Sequence, residues 1–291
     1  MTTETEQRNY DSISPSAKTL LLLKGHTDIP FAEQAAELIS LPGKYAPDFE
    51  SRDFMRWART VHLELRYKTI DDLLQGLPVK NILELSSGFS FRGLKRVQDD
   101  AVHYIDTDLP EVIRIKQQLV ADLEKTIDPA KGKLELLPLN ALDEGQFKNI
   151  VARFPAGELA IVNEGLLMYL DDAEKIKLCR IVREVLQRRG GYWITADVYV
   201  RVKTDAGKFR LDDEFQKFLD EHNVEEKKFE SFEAAEAFFK AQGFVVDKEA
   251  TERYETLSTL KYFMESLSEQ QKASPGKMER MQASWRLKLA G

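Results

Sequence analysis

Apolar positions recur with a helical period from Ser14 to about Gly76. Ser14 suits an N-cap, Pro15 suits the first helical position, and Gly25 stops that helix. A second helix fits Pro30 to Ile39 and closes at Leu41-Pro-Gly43. A third is predicted from about Asp53 to Leu74, with Trp57, Val61, Leu65, Ile70, Leu73 and Leu74 on one stripe. This stretch reads as a helical cap placed before any strand.

Beyond Gly76 the pattern changes to short apolar runs bounded by turn residues. Strands are predicted at Lys80 to Leu85, Val102 to Ile105, Leu134 to Leu137, Leu159 to Val162 and Tyr192 to Thr195. Between them lie helical patterns through Val97, from Pro110 to about Ile127, near Glu144 to Arg153, and from Asp171 or Asp172 to Arg189. Such alternation implies a doubly wound, mostly parallel, Rossmann-like α/β sheet covered on both faces. Its ligand crevice should lie at the strand carboxyl ends.

The charged stretch from Arg201 to Lys228 breaks the alternation and is expected to form an inserted helical lid, with a helix from Asp213 to His222. Helix Ser231 to Gln242 and strand Phe244 to Val246 resume the core. One further strand is expected near Tyr254 to Leu260, followed by a terminal helix. The expected organisation is a cap over residues 1–76, a core over 77–200 and 229–262, a lid over 201–228 and a tail over 263–291.

Composition narrows the function classes. Hydrophobic residues make up 43% and charged residues 31%, a globular profile. The net charge of -7 and the lack of a basic stripe argue against a nucleic-acid partner. The single cysteine, Cys179, permits no internal disulfide and is expected to be a buried apolar residue. No apolar run reaches membrane length and the first residues carry no leader pattern, so a cytoplasmic protein without a membrane partner is expected.

Candidate chemistry gathers at the predicted strand ends. The turn Glu84-Leu-Ser-Ser-Gly-Phe-Ser90 is built of small residues that let a ligand approach the backbone, and the next helix offers free N–H groups. A dinucleotide fingerprint would need glycines where Ser86 and Phe91 stand, which disfavours a nicotinamide-dependent reductase. Asp106 and Asp108 end the second strand, where a carboxylate can hold ribose hydroxyls.

Three segments resemble the leucine carboxyl methyltransferase family, whose bacterial members are described as polyketide-type O-methyltransferases. They are Asn81-Ile-Leu-Glu-Leu-Ser-Ser-Gly-Phe-Ser-Phe-Arg-Gly93, Tyr104-Ile-Asp-Thr-Asp-Leu-Pro110 and Asn163-Glu-Gly-Leu-Leu-Met-Tyr-Leu170. The resemblance runs from about Ser12 to about Leu260 and implies a class I S-adenosylmethionine-dependent methyltransferase acting on a small-molecule acceptor. By that resemblance Arg59 binds the cofactor's methionine carboxylate, and Ser86, Ser87 and Gly88 form the cofactor-contacting turn. Asp108, with Asp106 beside it, binds ribose, Asn140 and Ala141 flank adenine, and Glu164 faces the methionyl ammonium. The chain departs from the family in having Ser86 and Ser87 where more glycine is usual, and Ser90 where an Asp often stands.

These assignments agree with charge logic, since Arg59 and Glu164 could read the two charges of an amino acid by charge-assisted hydrogen bonds. Methyl transfer needs no metal. The acceptor is a hydroxyl or a carboxylate, and carboxyl methylation of a protein or peptide terminus stays open as a variant. A non-catalytic cofactor-binding module and a nicotinamide-dependent reductase are the competing classes. No catalytic residue stands out; His62, His26 and Tyr169 are the candidates for a base. His103 is expected to be structural, His222 solvated in the lid, Arg92 a family match or a surface pairing residue, and Trp57 and Trp193 core.

Overall fold

The structure is a computed structural model, and it describes residues 14–201, 220–273 and 280–291. Most of the expected lid, including the start of its helix at Asp213, lies outside the described residues. Helices α1 (Ser14–Lys24), α2 (Ala32–Ile39) and α3 (Phe54–Leu74) come first. Asp53 caps α3 by accepting from the backbone N–H groups of Met55 and Arg56. Strands and helices then alternate: β1 (Asn81–Leu85), α4 (Arg92–Asp99), β2 (His103–Asp108), α5 (Pro110–Leu123), β3 (Lys133–Pro138), α6 (Glu144–Val151) and β4 (Leu159–Asn163). After α7 (Asp172–Arg189) and β5 (Gly191–Tyr199) come α8 (Phe232–Ala241), β6 (Phe244–Glu249), α9 (Leu260–Ser266), α10 (Glu269–Ala273) and β7 (Gln282–Leu289).

The seven strands form one sheet in the order β3-β2-β1-β4-β5-β7-β6. β1 to β5 are mutually parallel, and β7 runs antiparallel to both of its neighbours. Side chains alternate across the sheet, as a period of two requires. Leu83, Leu85, Leu159, Ile161 and Trp193 pack towards α6, α7 and α8. Ile82, Ala160, Val162, Ile194 and Ala196 meet Ile70, Leu73 and Leu74 of α3 and Val97 of α4. A third cluster joins α1 and α2 to α5 through Leu21, Ala35, Ala36, Leu119 and Val120. Trp57, Trp193 and Cys179 are buried, and burial pushes the Cys179 thiol up to about 12.

The end of the chain departs from expectation. Residues 254–266 form a short 3-10 turn and then α9 rather than a strand, and the missing strand is β7, inserted between β5 and β6. Apolar residues at Tyr254, Leu257 and Leu260 suggested a strand, but Leu257 and Leu260 pack on Val61 and Leu65 of α3. In β7, Ala283, Trp285, Leu287 and Leu289 alternate strictly with Gln282, Ser284, Arg286 and Lys288, the period-two pattern of a strand. Arg286 pairs with Asp247 and Ser284 bonds Thr69, so the polar positions of the strand have tertiary partners.

Candidate functional site

β1 and β4 are neighbours whose following connections lead to opposite sides of the sheet, so their carboxyl ends flank a topological switch point. The turn leaving β1 takes left-handed backbone at Ser86 (φ 49°) and at Gly88 (φ 49°). Serine at that dihedral costs about 1 kcal/mol that glycine would not. A side chain built on Gly88 would meet nothing within 4 Å, so this turn presents open space on its exposed side.

The turn is bolted to the end of β2. Ser87 N donates to Thr107 O at 2.9 Å, and Gly88 N donates to Asp108 Oδ2 at 2.7 Å. Beneath it, the buried Lys116 pairs with Asp106 Oδ2 at 2.8 Å and donates to Ser87 Oγ at 2.9 Å. The two acids therefore do different work. Asp106 is turned inward onto Lys116, and burial pushes its carboxyl up to about 6 against the pull of that cation. Asp108 sits at the rim, partly exposed, and accepts Leu109 N on its other oxygen at 2.7 Å. Burial raises its carboxyl too, and the N–H groups of Gly88 and Leu109 oppose the rise. Each oxygen of Asp108 keeps a lone pair for a hydroxyl donor.

After β3, Asn140 forms an Asx turn, its Oδ1 accepting Leu142 N at 3.0 Å, and Gln146 Oε1 accepts Asn140 N at 3.2 Å. Ala141 is buried beside it. These residues line the third strand end of the same sheet edge.

The end of β4 is the most highly charged part of the site. Glu164 is nearly buried and faces three cations: Lys24 Nζ at 3.0 Å, Arg92 Nη2 at 3.2 Å and Arg66 Nη2 at 3.9 Å. Burial works against its ionisation, but Lys24, Arg66 and Arg92 outweigh burial and hold its carboxyl well below the usual carboxylate range. Arg92 is the hub beneath: it also bonds Glu84 at 2.6 Å and Asp71 at 2.8 Å, and lies over the Tyr67 ring at 4.2 Å. It is fully buried, not the surface residue the sequence allowed.

The loop that carries Glu164 hangs from Asp197. Asp197 Oδ1 accepts Gly165 N at 2.6 Å, and Oδ2 accepts Leu166 N at 2.7 Å and Leu167 N at 3.1 Å. Asn163 Nδ2 donates to Oδ2 at 2.6 Å, and Arg66 donates to Oδ1 at 3.4 Å. β5 shifts register between Thr195 and Val198, and that irregularity turns Asp197 towards the loop while Val198 returns to the core.

Lys24, Arg66, Lys116 and Asp197 were not among the sequence candidates. Three of them carried a signal, and Lys24 carried none. Lys116 sits on the apolar stripe of α5, between Ile113 and Leu119, and Asp197 interrupts an apolar strand. Arg66 lies two turns beyond Arg59 on α3, on the same helical face, and it is Arg66 that reaches Glu164. Arg59 itself is partly buried.

The candidate bases are held in different ways. His62 Nε2 lies 2.8 Å from the Tyr199 hydroxyl, and burial with Arg66 nearby lowers its pKa to about 3. Its neutral ring therefore accepts from Tyr199, whose phenol burial pushes up. The folded-state pKa lies below the ordinary 6.5, so the unfolded chain binds the extra proton and stability is lost as pH falls from 6.5 towards 3. Acid denaturation should steepen in that window by up to about 1.4 kcal/mol per pH unit, and His62→Phe should flatten it. An unchanged slope in urea titrations at pH 6 and about pH 4.5 would refute this origin.

His26 is clamped elsewhere: its Nδ1 lies 3.1 Å from Leu22 O and 3.2 Å from the Tyr45 hydroxyl, edge-on to Phe49 and Trp57. Tyr169 is buried, and its ring meets His222 edge-on at 6.2 Å. His222, expected to be solvated, is buried against that ring. His103 bonds Glu135 at 2.7 Å. Among the described residues no helix is long and apolar enough to cross a membrane, and no three His, Cys, Asp or Glu side chains group as metal ligands.

The fold is α/β, a mixed seven-stranded sheet with flanking helices. No protein-family model and no curated protein sequence matches the chain. Among solved structures, a DUF574-family protein from Streptomyces avermitilis is 12% identical over 95% of this chain and 97% of its own, with a TM-score of 0.53. That likeness establishes a shared fold along almost the whole length. Magnesium protoporphyrin IX methyltransferase from Synechocystis PCC 6803, solved with bound SAH, is 10% identical over 90% of this chain and 96% of its own, with a TM-score of 0.46. LepI, solved in complex with SAM, is 10% identical over 76% of this chain, with a TM-score of 0.45; the match covers 46% of LepI's length, so the chain spans about half of it.

Proposed function

We propose that the chain is an S-adenosylmethionine-dependent methyltransferase acting on an oxygen of a small-molecule acceptor. The observation that carries this reading is the juxtaposition at the switch point. An open left-handed turn latched to the rim acid Asp108 faces, across the sheet edge, the carboxylate Glu164 among its cations. The segment resemblance to the leucine carboxyl methyltransferase family supports the same cofactor.

The residues present fit that cofactor. Ser86, Ser87 and Gly88 offer backbone at close approach, and Gly88 has room above it. Asp108 keeps lone pairs for ribose hydroxyls, the Asn140–Ala141 turn flanks adenine, and Glu164 takes the ammonium. By the same resemblance Arg59, on α3, supplies a cation for the carboxylate. Bound there, S-adenosylmethionine supplies a methyl group already activated on a sulfonium. The protein's own work is alignment and exclusion of water. Tyr199 and His62 gather beside Arg66 next to Glu164. An acceptor carboxylate needs no base, whereas a hydroxyl usually needs one.

Calorimetric titration tests the reading. S-adenosylmethionine and S-adenosylhomocysteine should bind saturably, and Asp108→Ala should weaken both at least about tenfold by removing hydrogen bonds to a carboxylate. Binding of a nicotinamide dinucleotide without binding of S-adenosylmethionine would sink it.

A further inference from the structure

Lys24 is the last residue of α1, and its ammonium rests on Glu164 Oε1 at 3.0 Å with both side chains nearly buried. The end of α1 is fixed by contacts that do not involve this pair. Thr27 Oγ1 donates to Lys24 O at 2.6 Å, and Tyr45 Oη donates to Leu22 O at 2.9 Å. Gly25 lies so close to Tyr45 that a Cβ there would come within 2.4 Å of its hydroxyl oxygen. The backbone of Lys24 is thus preset, and its side chain alone spans to β4.

The other two cations on Glu164 are tethered. Arg92 is shared with Glu84 and Asp71, and Arg66 with Asp197. Apart from Glu164, no other carboxylate is paired with Lys24 among the described residues. An α-amino acid presents one ammonium and one carboxylate, the same two charges that the Lys24–Glu164 pair displays. Entering between them, it gives Glu164 a new ammonium and Lys24 a new carboxylate. The buried charge then stays balanced at every step, which a single incoming ion could not achieve.

We propose that Lys24 is the receptor for the carboxylate of an amino-acid-bearing cofactor, and that its ion pair with Glu164 is the internal placeholder which the cofactor's methionyl end opens. This rests on the methyltransferase reading above. It makes His26 and Tyr45 positioning residues for the end of α1.

The test is calorimetric titration of wild type, Lys24→Met and Lys24→Arg with two ligands. One is S-adenosylmethionine; the other is decarboxylated S-adenosylmethionine, which keeps the ammonium and lacks the carboxylate. Lys24→Met should lose about tenfold or more in affinity for the first and less than about twofold for the second, as expected for one charge-assisted contact. Lys24→Arg should keep the wild-type preference. Lys24→Gln gives a second neutral variant should methionine disturb α1, and thermal melts check that each variant folds. Equal losses for both ligands, or no loss for either, overturn the proposal. Wild type that binds neither ligand removes the underlying reading instead, so the two failures are told apart.

Discussion

Glu164→Ala should unfold far more easily than wild type, by about 3–5 kcal/mol, because it strands Lys24, Arg66 and Arg92 around a hole in a nearly buried site. The argument turns on which side of the ion pair is removed. Taking away one cation leaves Glu164 with two; taking away the carboxylate leaves three like charges within reach of each other. Arg92 keeps Glu84 and Asp71, and Arg66 keeps Asp197, so the loss falls mostly on Lys24 and on mutual repulsion. Glu164→Gln should be milder, since an amide oxygen still accepts one hydrogen bond. In urea denaturation the alanine variant should show a lower midpoint with little change in slope, and its melting temperature should fall on the order of 10 °C. A loss under about 1 kcal/mol would mean that the three cations do not depend on this carboxylate. The result also bears on function: weakened cofactor binding in this variant is interpretable only beside its stability.

The legibility of the sequence followed the local character of the signals. Five parallel strands, three helices of the cap and the turn at Ser86 to Gly88 all follow from local pattern, period and capping residues. Asp53 as the cap of α3 and the capping box of Asp171 and Glu174 on α7 are instances where two or three adjacent residues determine the element boundary. β7 obeys the same local rule, with Ala283, Trp285, Leu287 and Leu289 alternating strictly with polar residues, yet the last strand was expected near Tyr254 to Leu260. Its place between β5 and β6, and the partners Asp247 and Thr69 of its polar face, come only from the fold. The site divides in the same way. Asp108 and Glu164 announce themselves as acids at strand ends. Lys24, Arg66 and Asp197 come from α1, α3 and β5, and only the packing of α3 and α1 against the sheet edge brings them to Glu164. Arg59 was expected at the cofactor's carboxylate, and Arg66, two turns further along the same face of α3, is the arginine that pairs with Glu164.

Asp197→Asn is the substitution expected to act on fold and site together. The side chain keeps its shape, but one of its two acceptors becomes an NH₂ group facing donors. If Oδ2 is lost, Leu166 N, Leu167 N and Asn163 Nδ2 lose their acceptor; if Oδ1 is lost, Gly165 N and Arg66 do. Each buried donor left unpaired costs about 1–3 kcal/mol, and part of that is recovered by local relaxation, so a net loss of about 3 kcal/mol is expected. The loop from Glu164 to Leu167 is where the loosening should concentrate, because β5 on one side and the cation cage on the other stay packed. Amide hydrogen exchange reads this directly: Gly165, Leu166 and Leu167 should exchange faster in the variant, relative to β1 and β4, than in wild type. Affinity for S-adenosylmethionine should drop with it by about tenfold, since Glu164 is positioned through that loop. Unchanged protection at these three amides would show that the loop stands without Asp197, and would also remove the reason for β5 to break its register there.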